Sequence, residues 1–312
     1  MSRKILIVGS GVVGEATGTV FAEHGFDVTF SDINPGVLSR LKQKGHKVLP
    51  MNETEKPDTD IYMVSVPTYP LDLCKDEASA EKLEKATSPL EWCDIGIDFT
   101  KSAAKKLGEW LGRSKGYQVV AIRSAVLPGT TEDLVIPIME KHSGKKAGKD
   151  FGVCVNPEYL RERQSIEDIR NPWITVFGEL DKRSGDLLEE VYRWVTCPLY
   201  RGLTLKEAEM QKFIHNLYNA AKISYFNEMR LVCESIGVNA EKIIPIVAKS
   251  AEAQWNPEYG TKNYGPYGGT CLPKDSVAFL SWAKLGGMET RLMKAVLEVN
   301  QVFEKRLKSE PG

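Results

Sequence analysis

The sequence predicts an α/β protein in two parts: a doubly wound parallel sheet over residues 1–200, then a helical domain over residues 201–312 built on one long central helix. Three observations predict it. Short apolar, β-branched runs alternate with amphipathic stretches from the N-terminus onward, the rhythm of parallel strands whose crossover helices cover both faces of a sheet. The first of these runs opens into a glycine-rich turn followed by a helix-like stretch. From about Lys206 the rhythm stops, and the segment from Leu205 to Ile236 contains neither Gly nor Pro until Gly237.

Taken in order, Ile5–Val8 is the first strand. The basic start Met1-Ser2-Arg3-Lys4 ahead of that apolar run has the outline of a signal peptide, but the run is short and passes into glycines, so it reads as a buried strand. Glu15 to His24 reads as a helix ended by Gly25, and Val28–Phe30 as the second strand. Met51–Asp60 is a polar loop. Further strands are expected at Ile61–Val66, Val119–Ile122, Val153–Val155 and Ile174–Phe177. The long helix places Ala208, Phe213, Leu217, Ala220, Ile223, Phe226 and Leu231 at mostly three- and four-residue steps. More helix follows at Ala240–Ser250 and Asp275–Lys284 and on to the C-terminus, with the Gly- and Pro-rich stretch Asn256–Pro273 in between.

Composition narrows the function classes. The 41 basic and 42 acidic side chains nearly cancel, which argues against a nucleic-acid or anionic-membrane partner, since both need a concentrated basic surface. No apolar run reaches the ~18–20 residues that span a bilayer. The six cysteines, Cys74, Cys93, Cys154, Cys197, Cys233 and Cys271, form no CxxC pair, and His24, His46, His142 and His215 are scattered. Free thiols, no metal site and a cytoplasmic location are expected.

The glycine turn carries a specific signal. Strand Ile5–Val8 leads into Gly9-Ser10-Gly11-Val12-Val13-Gly14 and a helix, and the second strand ends at Asp32. Gly9 allows the tight turn, Gly11 lets backbone N–H groups approach a pyrophosphate, and Gly14 packs helix on strand. Asp32 can accept hydrogen bonds from adenine ribose hydroxyls and would repel a 2′-phosphate. These features make the first domain a Rossmann-type fold and favour NAD over NADP. Val66-Pro67-Thr68 and the segment from Ser124 to Thr131 follow later strands, where the carboxyl edge of an open sheet receives its ligand.

Three further segments point to chemistry. Lys212 and Asn216 stand four apart on the long helix, so an ammonium and an amide share a face that could hold an oxygen gaining negative charge. Cys271 leaves the turn Gly268-Gly269-Thr270 just ahead of an expected helix, where backbone N–H groups and the helix N-terminus can stabilise a thiolate. Glu158, in Asn156-Pro157-Glu158-Tyr159-Leu160-Arg161, follows a strand at the ligand-facing edge. Singly these read as a solvated lysine beside an amide, a buried small thiol and a helix-start acid; together they resemble something more definite.

The chain resembles the UDP-glucose/GDP-mannose dehydrogenase family from Lys4 to about Glu304. The resemblance is carried by the Gly9–Gly14 fingerprint, Ser65-Val66-Pro67-Thr68, Val126-Leu127-Pro128-Gly129-Thr130-Thr131, Asn156 to Glu162, Ala208 through Lys212 and Asn216 to Asn227-Glu228, and Gly265–Asp275. It implies NAD-dependent oxidation of a primary alcohol, such as the C6 hydroxyl of a nucleotide sugar, to a carboxylate in two hydride transfers. By the same resemblance Cys271 is the nucleophile of a thiohemiacetal and a thioester, and Glu158 assists hydrolysis. Lys212 and Asn216 stabilise oxyanions, and Asp275 works with Lys212 and a water. Gly9, Gly11, Val12, Val13, Gly14, Asp32, Val66, Pro67, Thr68, Ser124 and Lys274 are assigned to the cofactor. Tyr159, Leu160, Arg161, Lys212, Asn216 and Gly268 are assigned to the substrate. The long helix is expected to form the core of a homodimer.

Three departures stand out. Ser124-Ala125 replaces the family's common Ser-Thr, removing a hydroxyl associated with the catalytic water. The stretch between Asp32 and Ile61 is shorter than usual. The sequence ends at Gly312, about where the family begins a third, C-terminal domain over the nucleotide, so that domain is expected to be absent. The nucleotide pocket would then be completed by a neighbouring chain, or the substrate would be smaller or more weakly held. Two rival functions are weighed beside the leading one. The first is a simple hydroxyacid-type dehydrogenase that makes one hydride transfer with Lys212 and Asn216 alone. The second is a non-catalytic protein that binds NAD or a nucleotide sugar.

Overall fold

The computed structural model describes residues 2–53, 56–68, 97–161, 164–257, 259–260, 266–268 and 271–309, with the backbone alone at 255, 271 and 306–309. Cys74, Cys93, Glu162, Gly265, Gly269 and Thr270, all named above, lie outside the described residues. The chain forms two compact units, Met1–Ile214 and His215–Gly312. The units divide inside the long helix. Leu205 and Ala208, in its first turn, are buried in the core of the first unit.

The first unit is a single eight-stranded sheet. In chain order its elements are β1 (Lys4–Val8), α1 (Val12–Glu23), β2 (Asp27–Asp32), α2 (Pro35–Gln43), β3 (Lys47–Pro50), β4 (Ile61–Val64), α3 (Asp98–Gly112) and β5 (Val119–Ile122). A π-helical turn, Thr131–Val135, then leads into α4 (Ile136–Ser143), followed by β6 (Gly152–Val155), α5 (Ser165–Arg170), β7 (Thr175–Glu179), α6 (Lys182–Glu190) and β8 (Leu199–Leu203). The strands lie in the order β3-β2-β1-β4-β5-β6-β7-β8. The chain builds outward from β1 to β3 and then returns to set β4 beside β1, so the crevice outside the carboxyl ends of β1 and β4 is the topological switch point, the place where open sheets bind ligands.

Strand periodicity explains both layers. Leu6, Tyr62, Val64, Val120 and Ile122 face one side, covered by Leu107 and Trp110 of α3 and Met139 of α4. Their neighbours Ile5, Ile7, Ile61, Met63 and Val119 face the other, beneath Phe21, Leu41 and Leu188. Strands buried on both faces read as continuous apolar runs, which is why these were legible. The edge strands β3 and β8 were not. Lys47 and Pro50 of β3 are exposed, and β8 alternates between half-buried and exposed residues, so neither carries such a run.

The sheet is mostly parallel, as the sequence predicts, with one reversal: β7 pairs antiparallel with β6, and β8 then runs parallel to β7. A parallel neighbour needs a crossover to the opposite edge. Here the chain re-enters at the end of the sheet where β6 stops, so Glu158 lies in the crevice, while α5 runs on along α1, with Arg170 paired to Glu23 at the last turn of α1.

The second unit carries most of α7 (Leu205–Ser235), then α8 (Ala240–Ser250), α9 (Glu252–Trp255), α10 (Cys271–Leu285) and α11 (Arg291–Ser309). Within it Glu228 caps α11, its carboxylate accepting from Leu292 N at 2.7 Å and Met293 N at 3.1 Å. Helix α10 starts at Cys271, four residues before the expected start at Asp275. Pro273 is tolerated there because the N–H it lacks would be unpaired in a first turn anyway. Among the described residues, no helix is long and apolar enough to cross a membrane.

Candidate functional site

A cleft of about 690 Å³ opens along the carboxyl ends of β1, β2, β4 and β5. Its floor is the glycine turn. Gly9 has φ +86°, and a Cβ there would stand 2.7 Å from the Ser65 carbonyl oxygen. A Cβ on Gly14 would stand 2.0 Å from the Gly9 carbonyl oxygen, so the first turn of α1 closes on β1 only without a side chain. Gly11 is different: nothing lies within 4 Å of a Cβ built on it, and it faces open space lined also by Val12 and Val13. Gly9 thus closes a tight turn, Gly14 lets α1 approach β1, and Gly11 leaves open space toward the cleft.

At the far end of β2, the Asp32 carboxylate is fixed by Ser10 N at 2.7 Å and Asn34 N at 2.8 Å. Each oxygen keeps a lone pair for a ribose hydroxyl. On the opposite wall the loops after β4 and β5 brace one another: Ser124 Oγ donates to the Val66 carbonyl at 2.7 Å and Thr68 Oγ1 to the Ala125 carbonyl at 2.8 Å. Both hydroxyl protons are therefore committed within the wall. Pro67 lines the cleft beside them. Ser65 also lines it, with a buried Oγ that has no partner in the protein. An open glycine face, a fixed carboxylate and an unpartnered hydroxyl fit a dinucleotide with ribose hydroxyls and a pyrophosphate.

The cleft meets ionisable chemistry at Glu158, which belongs to its lining. This residue follows β6, and its Oε2 accepts from Leu160 N at 2.7 Å. Lys212, on the first turns of α7 and 7% exposed, donates from Nζ to the Glu158 backbone carbonyl, and lies 3.5 Å from Glu158 Oε1. The same Nζ sits 4.9 Å from the centre of the Tyr159 ring. Burial lowers the Lys212 pKa below the ordinary lysine value, with the nearby Arg123 charge acting in the same direction and Glu158 opposing. Tyr159 donates its hydroxyl proton to Gln211 Oε1, and burial pushes its phenol up to about 12. Leu160 is half-buried. Arg161 turns away to a buried Asp168 carboxylate, with Nη2 2.5 Å from Oδ1, and lies 5.9 Å from the Trp173 ring.

Two side chains here were missed by sequence reasoning. Arg123 directly follows β5, is 3% exposed, and donates to Asn156 Oδ1 and, at 2.6 Å, to Tyr192 Oη. Glu209, 2% exposed on α7, accepts from Gly129 N at 2.6 Å and Thr131 N at 2.9 Å, tying the loop after β5 to the helix that carries Lys212. A charge directly after the apolar run Val119–Ile122, and an acid three residues before Lys212 on the same helix face, were the available signals.

The remaining candidates belong to the second unit. Asn216 is exposed, one turn beyond Lys212 along α7, and Gly268 is exposed in the segment before α10. Cys271 is the first residue of α10. Lys274 and Asp275 are both exposed and form an ion pair at 3.0 Å.

Comparison with known proteins agrees along both parts of the chain. Residues 3–196 match the UDP-glucose/GDP-mannose dehydrogenase family, NAD binding domain, and residues 206–302 match the central domain of the same family. GDP-mannose 6-dehydrogenase from Pseudomonas aeruginosa is 36% identical over 207 residues, an alignment covering 66% of this chain and 47% of that protein. Over such alignments the chain spans about half the length of the curated relatives. The enzyme of the same name from Pseudomonas savastanoi pv. phaseolicola is 31% identical over 303 residues, covering 95% of this chain and 68% of the relative. A crystal structure of a ternary complex of the P. aeruginosa GDP-mannose dehydrogenase superposes with TM-score 0.82 at 28% identity, covering 96% of this chain and 68% of that one. With its NAD binding domain and central domain both matched, the chain belongs to the UDP-glucose/GDP-mannose dehydrogenase family.

Proposed function

We propose that this chain oxidises the C6 hydroxyl of a nucleotide sugar, of the kind named in its relatives, to a carboxylate with two equivalents of NAD. The observation that carries the reading is Glu158: it lines the NAD cleft, and both its backbone carbonyl and its carboxylate meet the buried Lys212 ammonium. A charged donor held at the edge of a cofactor cleft is what alcohol oxidation requires, because negative charge grows on the substrate oxygen as hydride leaves the carbon. When bound, NAD supplies the hydride acceptor for each of the two oxidations.

In this reading Lys212, with Asn216, holds the alkoxide that gives up the first hydride and becomes an aldehyde. The Cys271 thiolate adds to the aldehyde carbon, the thiohemiacetal gives up the second hydride, and a thioester remains. Glu158 assists a water in attacking that carbonyl, Lys212 and Asn216 hold the tetrahedral oxyanion, and Asp275 works with Lys212 and a water. The C–S bond breaks, releasing carboxylate and restoring the thiol. Lys274 is assigned to the cofactor, and Tyr159, Leu160, Arg161 and Gly268 to the substrate. A homodimer formed through α7 is part of the proposal, supported by Leu217, Ile223 and Leu231, which are 61%, 62% and 64% exposed. The unbridged Cys154, Cys197 and Cys233 suit the reducing cytoplasm.

The test is to count NADH released per molecule of GDP-mannose or UDP-glucose by wild type and Cys271→Ala, with the product identified by mass. Two NADH and a carboxylate, abolished in the variant, support the proposal. One NADH with a cysteine-independent carbonyl product would replace it with a single-oxidation dehydrogenase, and NAD binding without turnover on any nucleotide sugar would replace it with a binding protein.

A further inference from the structure

Arg123 stands at the junction of two spaces. It lines the NAD cleft, and it also lines a second, smaller pocket that includes Asn156, Asp168, Tyr192 and Trp194, with Glu158 bordering both. Its Nη1 donates to Asn156 Oδ1 and to Tyr192 Oη, and Tyr192 Oη in turn donates to Asn156 Oδ1. Asn156 is held from its other side, Nδ2 donating to the Val176 carbonyl at 3.1 Å. The guanidinium is thus built into the start of the Asn156-Pro157-Glu158 turn. Its Nε is buried without a partner, and among the described residues no carboxylate pairs with it. A buried cation is ordinarily neutralised by an acid, so one held only by neutral groups keeps its field for its surroundings.

Among the described residues, the groups facing Lys212 are few. From the segment after β6 come the Glu158 carboxylate, 3.5 Å away, and the neutral Tyr159 phenol; Arg123, directly after β5, lines both pockets together with Glu158 and adds its positive charge from there. On its own helix Glu209 is engaged with Gly129 and Thr131, and His215 lies at the next turn.

We propose that Arg123 is a positioning residue for the Lys212–Glu158 pair: it anchors the turn that presents Glu158 and sets an uncompensated positive charge against the Lys212 ammonium. The inference rests on the dehydrogenase reading for its purpose. A lysine pressed by a like charge gives up its proton more readily and can take part in proton transfer from the substrate alcohol, beyond offering a fixed charge.

The test uses Arg123→Gln, which keeps an N–H donor for Asn156 and removes the charge, and Arg123→Lys, which keeps the charge. Trace acetylation of the folded, full-length protein across a pH series, with the Lys212 peptide quantified by mass spectrometry, gives the titration midpoint of Lys212 without any turnover. The result therefore stands apart from whether nucleotide sugars are oxidised. The midpoint should rise in Arg123→Gln, where the like charge is removed, and should return to the wild-type value in Arg123→Lys. In active protein the pH profile of NADH release should move the same way. Superimposable titrations for wild type and Arg123→Gln, or a Lys variant that behaves like the Gln variant, would overturn the proposal.

Discussion

Truncating Glu209 to alanine tests whether the loop after β5 is held from the helix that carries Lys212. The Glu209 carboxylate accepts two backbone N–H bonds, from Gly129 at 2.6 Å and Thr131 at 2.9 Å, in a site where the residue is 2% exposed. Alanine leaves both N–H groups buried without partners, at ~1–3 kcal/mol each. Relief of the desolvated carboxylate returns part of that, leaving a net loss of about 2–4 kcal/mol. At roughly 2–4 °C per kcal/mol for a unit of this size, the melting temperature should fall by about 5–15 °C.

Circular dichroism melts at neutral pH measure it, and Glu209→Gln, which retains one acceptor oxygen, should lie between the two. A pH series adds a second signature. Burial raises the Glu209 pKa above the ordinary carboxylate value against the pull of the two N–H groups, so the folded state holds this proton more tightly than the unfolded chain. That contribution is fully present below the unfolded pKa and is lost as pH rises through the raised folded value; the alanine variant should lack this slope. A drop of under about 2 °C together with an unchanged pH slope would refute the argument, because it would mean that the two N–H groups find other partners.

Two further predictions concern the cofactor turn. Gly14→Ala would place a Cβ 2.0 Å from the Gly9 carbonyl oxygen, so backbone must move; NAD binding measured by calorimetry should be lost, with destabilisation at or above the ~1–3 kcal/mol of ordinary overpacking. Wild-type affinity would show that α1 can shift without cost. The Asp32 carboxylate, fixed by Ser10 N and Asn34 N, should make NADP bind about 100-fold more weakly than NAD, and Asp32→Gly should narrow that gap. Equal dissociation constants for the two cofactors in the wild type would contradict the role given to Asp32.

What the sequence by itself determined is what short-range physics governs. The glycine fingerprint was legible because Gly9 and Gly14 meet one another within a single turn, so the constraint and its solution lie in adjacent residues. Strands β1, β4, β5 and β6 were legible because their apolar runs are buried on both faces, and β2 and β7 from the buried Val28, Phe30, Val176 and Phe177 at their centres. The long helix was legible from its uninterrupted span, Leu205–Ser235. Tertiary structure decided the rest. Edge strands β3 and β8 owe their conformation to pairing with β2 and β7, partners no local pattern names. The reversal at β7 depends on which edge of the sheet the chain re-enters. Arg123, Asn156 and Tyr192 lie up to 69 residues apart, and Glu209 is 80 from Gly129, so only folding could reveal an unpaired guanidinium or a carboxylate clamp. Residue types and local spacing announce which chemistry a chain can carry, whereas burial and long-range juxtaposition set the charge and position of each group, and those arise only when distant strands and helices close on one another.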